Sequence, residues 1–169
     1  SQIELDLSSS ASWDTTDGTD YTTASNRAGK DFYIYACQPA SGLTPILLVS
    51  DETSAPTGYT TSNSRKIGGF HGLCVAVGTI SGHTLTGFAA GDILPMSVWD
   101  LLHRPNRRNS SGAPILGAEG MVYCPGTNSW IDIYLTSGTG SNTASVNGGT
   151  ISKFRVWLDF VDDLAAVGK

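Results

Sequence analysis

The stretch RKIGGFH, residues 65–71, decides the fold class of this chain. It runs from a basic start to an apolar, aromatic end and leads into LCVAV, residues 73–77, so its composition is typical of a β-strand. Gly68 and Gly69 stand side by side within it, followed by Phe70. A glycine inside a strand indicates a bulge or a close approach of another backbone. The stretch therefore predicts a bulged strand.

A second stretch, ILPMSVWDLLHRP over residues 93–105, predicts a short internal helix. Ser97 is a suitable cap, and Pro105 stops a helix because it lacks a backbone N–H. Three apolar residues share one helical face: Val98, Leu101 and Leu102. Trp99 points to an adjacent face, where we expect it to pack on the sheet, and Arg104 closes the stretch.

A third stretch combines GMVY, residues 120–123, with WIDIYL, residues 130–135. Pro125 and Gly126 lie between them and are a strong turn signal, so we predict a β-hairpin. Alternation divides the second strand into two faces. The polar and aromatic face carries Trp130, Asp132 and Tyr134; the other carries Ile131, Ile133 and Leu135.

The first half of the chain predicts further strands. Ile3, Leu5 and Leu7 alternate with polar residues, which favours a half-buried strand. The next twenty or so residues are a surface loop or an arm that wraps a neighbouring subunit. Residues 31–37 form an aromatic, β-branched run that is apolar on both faces, so a central strand is expected there, with another short strand at residues 46–49.

The last third of the chain changes composition and period. Residues 137–151 have the Gly, Ser and Thr content of a flexible linker. Beyond them, apolar residues including Trp157 recur at helical spacing, with Ser152 as a candidate cap and Gly168 as the end. We expect the apolar face of this helix to be buried, either on the preceding domain or on something that follows residue 169, and Asp162 and Asp163 to lie on its solvated side.

These patterns predict a mainly β protein, an antiparallel sandwich or barrel with a short internal helix and a C-terminal amphipathic helix. Hydrophobic residues make up 40% of the 169, charged residues only 15%, and 20 are glycines, a composition that suits short strands and many turns. Three parts are expected: a β-rich anchoring and oligomerisation domain at 1–136, a linker at 137–151 and a helical segment at 152–169.

Charge and hydropathy exclude several function classes. A net charge of −5 disfavours a general nucleic-acid binder. The basic cluster HRPNRR, residues 103–108, is either a solvated loop or a patch for an acidic partner.

Residues 72–91 are too rich in Gly, Thr and His for a membrane span, and the chain start lacks the features of a secretory signal. Cys37, Cys74 and Cys124 are odd in number, far apart and in apolar contexts, which predicts buried free thiols and synthesis in a reducing compartment.

No pattern of catalytic residues rises above background. His71, His83 and His103 are isolated in sequence, and no metal or nucleophile motif is present, so we predict no enzyme, no metal site and no cofactor. A sugar-stacking platform is possible, although most of the aromatics are expected in the core or at a subunit interface: Trp13, Tyr21, Tyr59, Trp99, Trp130 and Tyr134.

In combination, the three stretches resemble a family of phage tail and virion surface proteins related to the targets of diversity-generating retroelements. The resemblance covers residues 65–169. In that family these motifs occupy an N-terminal domain, and a domain with the C-type-lectin fold, of the variety shared with formylglycine-generating enzymes, follows. Residues 160–169, FVDDLAAVGK, resemble the helix that opens the lectin-like domain.

The resemblance implies a structural role with no catalysis. We expect a virion protein, made in the host cytoplasm, that belongs to a tail fibre, spike or receptor-binding protein, forms a homotrimer and contacts other virion proteins. The host receptor would be contacted through sequence beyond Lys169. The motif positions are then architectural: Gly68, Gly69, Phe70, Trp99, Arg104, Trp130, Asp132 and Trp157. Alternatives are a carbohydrate- or protein-binding module with an aromatic surface, and a capsid decoration protein.

Overall fold

The structure is a computed structural model that describes residues 3–15, 18–42, 44–74, 89–109, 111–151 and 156–169. The expected strand at 75–77, His83 and the Ser152 cap lie outside the described residues. The chain divides into two compact units, Ser1–Pro95 and Met96–Lys169. This division falls at a different place from the expected linker, so the three-part organisation stays a prediction.

The first unit is built on an antiparallel sheet. Strand β1 (Asp31–Cys37) lies between β2 (Ile46–Ser50) and β3 (Ser64–His71), and it pairs antiparallel with both. The central position that its two apolar faces predict for β1 is therefore confirmed. Phe32, Tyr33 and Tyr35 of β1 are buried, as expected for a strand covered on both sides.

The glycine pair of β3 lies beside a β-bulge. Ile34 of β1 pairs with Gly68, whereas the next residue, Tyr35, pairs with Lys66. Ile67 is thus the extra residue in β3, and the register shifts there. Gly68, Gly69 and Phe70 follow the bulge and are all buried. The bulge that the adjacent glycines predict is present.

An aromatic cluster forms the core of the first unit. It consists of five buried residues from four segments: Trp13, Tyr21, Phe32, Val49 and Phe70. The ring centroid of Phe32 lies 5.4 Å from that of Trp13, 5.0 Å from that of Tyr21 and 5.5 Å from that of Phe70. Edge-to-face and offset ring pairs of this kind add stability beyond their buried area.

The N-terminal segment folds back on its own sheet, which corrects the alternative of an arm around a neighbouring subunit. It contains two short 3-10 helices, Ser10–Ser12 and Ala24–Arg27. The Asp14 N–H donates to the Val49 carbonyl oxygen over 2.7 Å, and Trp13 forms a β-bridge with Val49. The side chains of Trp13 and Tyr21 supply the driving force, because their burial removes a large apolar area from water.

The strand predicted at Ile3, Leu5 and Leu7 is absent. These residues have no strand pairing, and a turn begins at Leu7. The Asp6 carboxylate accepts hydrogen bonds from the Ser8 N–H and hydroxyl over 2.9 and 2.7 Å. This local bonding competes with a strand ladder, so the alternation of apolar residues is misleading here.

The second unit contains short strands and one α-helix. The strands are β4 (Trp99–Asp100), β5 (Arg107–Arg108), β6 (Pro114–Ile115), β7 (Met121–Cys124) and β8 (Ser129–Asp132), and the helix α1 spans Trp157–Ala166. β5 pairs with β6, and β7 with β8, both antiparallel. The predicted hairpin is therefore confirmed, as is a mainly antiparallel β fold with one C-terminal helix among the described residues.

The predicted internal helix is wrong. Pro95–Ser97 forms only one 3-10 turn, and β4 follows directly. The Asp100 carboxylate accepts hydrogen bonds from the Leu102 and His103 N–H groups over 2.7 and 2.6 Å. This aspartate turn uses the N–H groups that an α-helix would need, which is the physical reason for the difference. Leu102, expected on a packed face, is 86% exposed.

The C-terminal helix is present but shorter and differently oriented than expected. Val156 precedes its first turn and contributes no side-chain cap. Trp157 and Leu158 are 76% and 71% exposed. The described part of this chain therefore leaves them uncovered, whereas burial of the apolar face was expected. Asp163, expected in solvent, is 4% exposed and accepts a hydrogen bond from the Gly140 N–H over 2.6 Å.

Residues 137–151 form β-bridges and a 3-10 turn within the second unit, and the linker role that their composition suggests stays a prediction. Ser137 forms β-bridges with Ala144 and Ile151, and Gly140–Asn142 is a 3-10 turn. Ser145 is buried, and its hydroxyl donates to the Gly120 carbonyl oxygen over 2.8 Å. The hydroxyls of Ser137 and Ser145 bond to backbone carbonyl oxygens, so these serines act as hydrogen-bonding partners of the backbone here.

Candidate functional site

A cleft in the second unit has a volume of about 530 Å³. Its apolar wall is made of Val98, Leu102 and Pro105. Its polar and aromatic wall is made of the remaining lining residues: His103, Arg104, Asn106, Tyr123, Asn128 and Trp130. A volume of this size and a mixture of apolar surface with a few polar groups are typical of small-ligand sites.

The β7–β8 hairpin supplies the aromatic side of the cleft. Tyr123 and Trp130 are directly opposite each other in the antiparallel register, so their side chains lie on the same face. Their ring centroids are 5.6 Å apart and the planes are tilted by 52°. The Tyr123 hydroxyl donates to Asn128 Oδ1 over 2.8 Å. Both rings are half-buried, which leaves part of each accessible to a ligand.

Asn128 fixes the turn of this hairpin. Its φ is 51°, in the left-handed region, which Asn tolerates better than other residues with a Cβ. The four-residue turn from Pro125 sets the register, so Tyr123 necessarily faces Trp130. A ring pair and an amide thus come together from one short piece of sequence.

The aspartate turn at Asp100 supplies the opposite side. The Asp100 carboxylate accepts hydrogen bonds from the Leu102 and His103 backbone N–H groups. Each of its two oxygens also lies 3.1 Å from His103 Nδ1. The backbone N–H of His103, its imidazole and the Leu102 N–H together hold the pKa of Asp100 below its usual value. The carboxylate is therefore ionised at neutral pH and holds the loop that presents His103 and Arg104.

Arg104 is the available cation of the cleft. Its Nε donates to the Leu101 carbonyl oxygen over 3.4 Å, and among the described residues no carboxylate lies within ion-pair distance of its guanidinium. Arg107, by contrast, pairs with Glu119 over 3.2 Å and donates to the Val167 carbonyl oxygen over 3.1 Å. The basic cluster thus contains Arg104, which faces the cleft, and two arginines with structural contacts, Arg107 and Arg108, the latter donating to the Gly112 carbonyl oxygen over 2.8 Å.

The structure distributes the eight predicted motif residues over both units. Gly68, Gly69 and Phe70 belong to β3 and the core of the first unit. Trp99 is buried, at 4% exposure, and Trp157 lies exposed at the start of α1. Only Arg104 and Trp130 come together, in the cleft.

Asp132 has a structural role at the C-terminal end of the chain. It forms an ion pair with the Lys169 ammonium, and both side chains are largely buried. Gly168, with a φ of 72°, precedes this lysine, and a Cβ there would collide with the Arg108 backbone. These contacts hold residues 167–169 against the hairpin within the second unit.

Sequence reasoning missed Tyr123, His103 and Asn128 as cleft residues. A signal for Tyr123 was available, because a hairpin through Pro125 to Asn128 pairs residue 123 with residue 130. His103 belongs to the basic cluster at residues 103–108, but its place in the cleft depends on the aspartate turn that replaces the predicted helix.

Metal and membrane features are absent from the part of the chain that the structure describes. No three His, Cys, Asp or Glu residues among the described positions are grouped to hold a metal ion. None of the helices among those positions has the length and hydropathy required to cross a bilayer. The described His71 lies instead in the first unit, where its Nδ1 is 2.8 Å from Asp31.

The fold defines a class of protein: small antiparallel sheets, one with an aromatic core, and a short C-terminal helix. Within that class, the chain belongs to the family described as the Mtd second domain, which matches residues 6–100. This membership confirms the resemblance to phage tail proteins. It also extends the resemblance, which the motifs placed at residues 65–169, back to residue 6.

Similar proteins with known names support the membership of this chain in that family. The tail fiber receptor-binding protein of Bordetella phage BPP-1 is 32% identical over 131 residues, which cover 74% of this chain and 30% of that protein. The solved P3c and M1 variants of the Major Tropism Determinant each match with a TM-score of 0.53 and 26% identity, over 84% of this chain and 39% of theirs. This chain therefore spans less than half the length of these relatives.

Proposed function

We propose that this chain is a structural domain of a bacteriophage tail fibre, tail spike or related receptor-binding protein, with no catalytic activity. The family match over residues 6–100 carries the proposal. It is supported by the 32% identity to a protein named as a tail fiber receptor-binding protein. Such a domain is made in the cytoplasm of the host bacterium and assembled into the virion with other virion proteins.

In this proposal the chain attaches and presents a host-recognition domain. Residues 160–169 resemble the opening helix of a lectin-like domain, and the relatives are more than twice as long as the matched region. Receptor contact would then be made by sequence beyond Lys169, while the β-rich part serves as anchor. The motif residues Gly68, Gly69 and Phe70 are buried, which fits an architectural role.

We further propose that the chain forms a homotrimer through the second unit. Large apolar side chains that are exposed in the described residues are concentrated there, and only Ile3 and Ile46 lie in the first unit. The second unit exposes Met96, Val98, Leu101, Leu102, Ile131, Leu135, Val146, Ile151, Val156, Trp157, Leu158 and Val161. Exposed apolar surface of this extent is typical of an interaction surface, and a closed ring of identical copies would bury it.

Immunogold electron microscopy tests the attachment role. Antibodies against this chain should label the tail tips of purified phage particles that encode it, and should reduce adsorption to host cells. Labelling spread over the capsid would support a decoration protein instead. Absence of the chain from purified particles would overturn the proposal.

Light scattering tests the oligomeric state separately. At micromolar concentration we expect a mass three times the 17.7 kDa of one chain. The double variant Trp157→Ser, Leu158→Ser should shift the mass towards the monomer, whereas Ile3→Ser, an exposed apolar residue of the first unit, should not. A monomeric parent chain would rule out the trimer and leave the tail location to the microscopy.

A further inference from the structure

We propose that the cleft between the Asp100 turn and the β7–β8 hairpin binds an acidic saccharide. One sugar ring would stack on the Trp130 and Tyr123 rings while its carboxylate pairs with Arg104. This goes beyond the proposed function, which assigns ligand recognition to sequence beyond Lys169 and none to this unit.

The size and the aromatic wall favour a small ring-shaped ligand. The cleft volume of about 530 Å³ lies within the range of small-ligand sites. Tyr123 and Trp130 present tilted, half-buried rings 5.6 Å apart. Such rings offer apolar faces with polar tips, which suits a sugar because one face of its ring carries C–H groups and its edge carries hydroxyls.

The charge of the cleft favours an anion. Arg104 and His103 line it, and no Asp or Glu is among its lining residues. A guanidinium binds a carboxylate through two parallel N–H donors, which makes the planar carboxylate a better match than a single-point acceptor. The whole chain has a net charge of −5, so this cationic spot differs in sign from the chain around it.

The Asp100 carboxylate is engaged within its own turn. It is held by the Leu102 and His103 N–H groups over 2.7 and 2.6 Å and by the His103 imidazole. No ion pair joins it to Arg104 among the described contacts, so the guanidinium keeps its terminal donors for a ligand.

Two side-chain amides complete the donor and acceptor set. Asn106 and Asn128 both line the cleft and both are exposed. Asn128 Oδ1 accepts from the Tyr123 hydroxyl, which leaves its NH₂ group able to donate. Hydroxyl groups of a sugar need both donors and acceptors, whereas an apolar segment of a second copy of this chain would need neither.

Ligand-detected NMR with small probes tests the proposal. The whole chain is titrated with methyl β-D-glucuronide, with methyl β-D-glucoside as the matched neutral probe and with acetate as an anion without a ring. We expect saturation transfer to the ring protons of the glucuronide and a shift of the Trp130 indole N–H. Affinity for a single sugar unit should be on the order of millimolar, and about tenfold weaker for the glucoside because a charge-assisted hydrogen bond is lost.

Variants assign the effect to the cleft. Arg104→Gln should abolish the preference for glucuronide over glucoside, and Arg104→Lys should retain only part of it. Trp130→Ala should reduce the affinity for both sugars about tenfold or more. Arg65→Gln is the matched control, because Arg65 is exposed and lies outside the cleft. If Trp130→Ala unfolds the chain, the Arg104 pair still decides the question.

Three outcomes would overturn the proposal: equal binding of acetate and glucuronide, equal binding of the two sugars, or no effect of Arg104→Gln. A cleft that binds no sugar in the intact oligomer, with Trp130 protected from solvent, would assign it to contact with a second copy. None of these results bears on whether the chain is part of a phage tail, so the two proposals fail independently.

Discussion

The buried carboxylate of Asp163 accepts a hydrogen bond of 2.6 Å from the backbone N–H of Gly140. This bond joins α1 to the 3-10 turn of the Ser- and Gly-rich loop, two segments 23 residues apart in sequence. Asp162, its neighbour, is exposed. One of two adjacent aspartates thus holds the helix to the rest of the second unit, and the other is solvated.

Asp163→Ala should lower the free energy of unfolding of the second unit by about 2 to 3 kcal/mol, because the partly buried Gly140 N–H loses a charged acceptor. Asp162→Ala, the matched control, should change it by less than about 0.5 kcal/mol. Urea denaturation measures both changes in the free energy of unfolding, and hydrogen exchange of the backbone amides near Trp157 reports on the helix. Equal effects of the two substitutions would contradict the assigned role of Asp163.

Gly91 and Gly58 have nearly the same backbone conformation, with φ of 82° and 80°. A Cβ on Gly91 would collide with the Ala24 carbonyl group, whereas a Cβ on Gly58 meets nothing within 4 Å. Gly58→Ala should therefore cost about 1 to 2 kcal/mol from the left-handed conformation alone. Gly91→Ala should cost at least about 3 kcal/mol, since the backbone must also move. Thermal and urea unfolding of the two variants provide the comparison.

Phe32 is fully buried among the rings of Trp13, Tyr21 and Phe70. Phe32→Ala should destabilise the first unit by about 3 to 5 kcal/mol, through lost transfer energy and a cavity. Phe32→Leu retains most of the volume and should cost less than about 2 kcal/mol. Near-ultraviolet circular dichroism during unfolding reports on this cluster directly. A small effect of Phe32→Ala would show that the cluster is not the main core.

Cys37 and Cys124 should differ in reactivity. Burial, assisted by the negative charge of Asp14, raises the pKa of the Cys37 thiol to about 11. Hydrogen bonds from Thr127, first from its side chain and then from its backbone, lower the pKa of Cys124 despite the opposing effect of burial. Because the thiolate is the nucleophile, Cys124 should react with iodoacetamide at neutral pH while Cys37 does not.

Mass spectrometry of the alkylated native chain checks this difference. Labelling of Cys124 should rise as the pH passes its lowered pKa, at a lower pH than for an ordinary cysteine. Cys37 should become labelled only in denaturant. The variant Thr127→Val should slow the labelling of Cys124, and fast labelling of native Cys37 would contradict its burial.

Predictability from sequence differed between segments for physical reasons. The central strand β1, the bulge at Gly68 and the hairpin at Pro125 follow from local chemistry: β-branched and aromatic runs, paired glycines and a strong turn dipeptide. The prediction of an internal helix was wrong because the Asp100 carboxylate accepts hydrogen bonds from two backbone N–H groups. Helical spacing of Val98, Leu101 and Leu102 carries no information about that competition.

The candidate cleft was only partly predictable. Arg104 and Trp130 were recognised as motif residues, yet nothing in the sequence placed them together, since 26 residues and several turns separate them. Tyr123 follows from the hairpin register once the turn is known. Composition alone does not decide the role of residues 137–151, because a Ser- and Gly-rich composition is the same in a linker and in a hydrogen-bonded loop.

The sequence by itself determined the mainly β class, the bulged strand, the hairpin and the resemblance to phage tail proteins, because these depend on local propensity, turn chemistry and recognisable motifs. Only the tertiary structure decided which polar residues are buried and which apolar ones are exposed. Asp163 became internal because Gly140 approaches it, and Trp157 stays exposed because nothing in the chain covers it among the described residues. Such outcomes depend on contacts between distant segments, which no local pattern encodes.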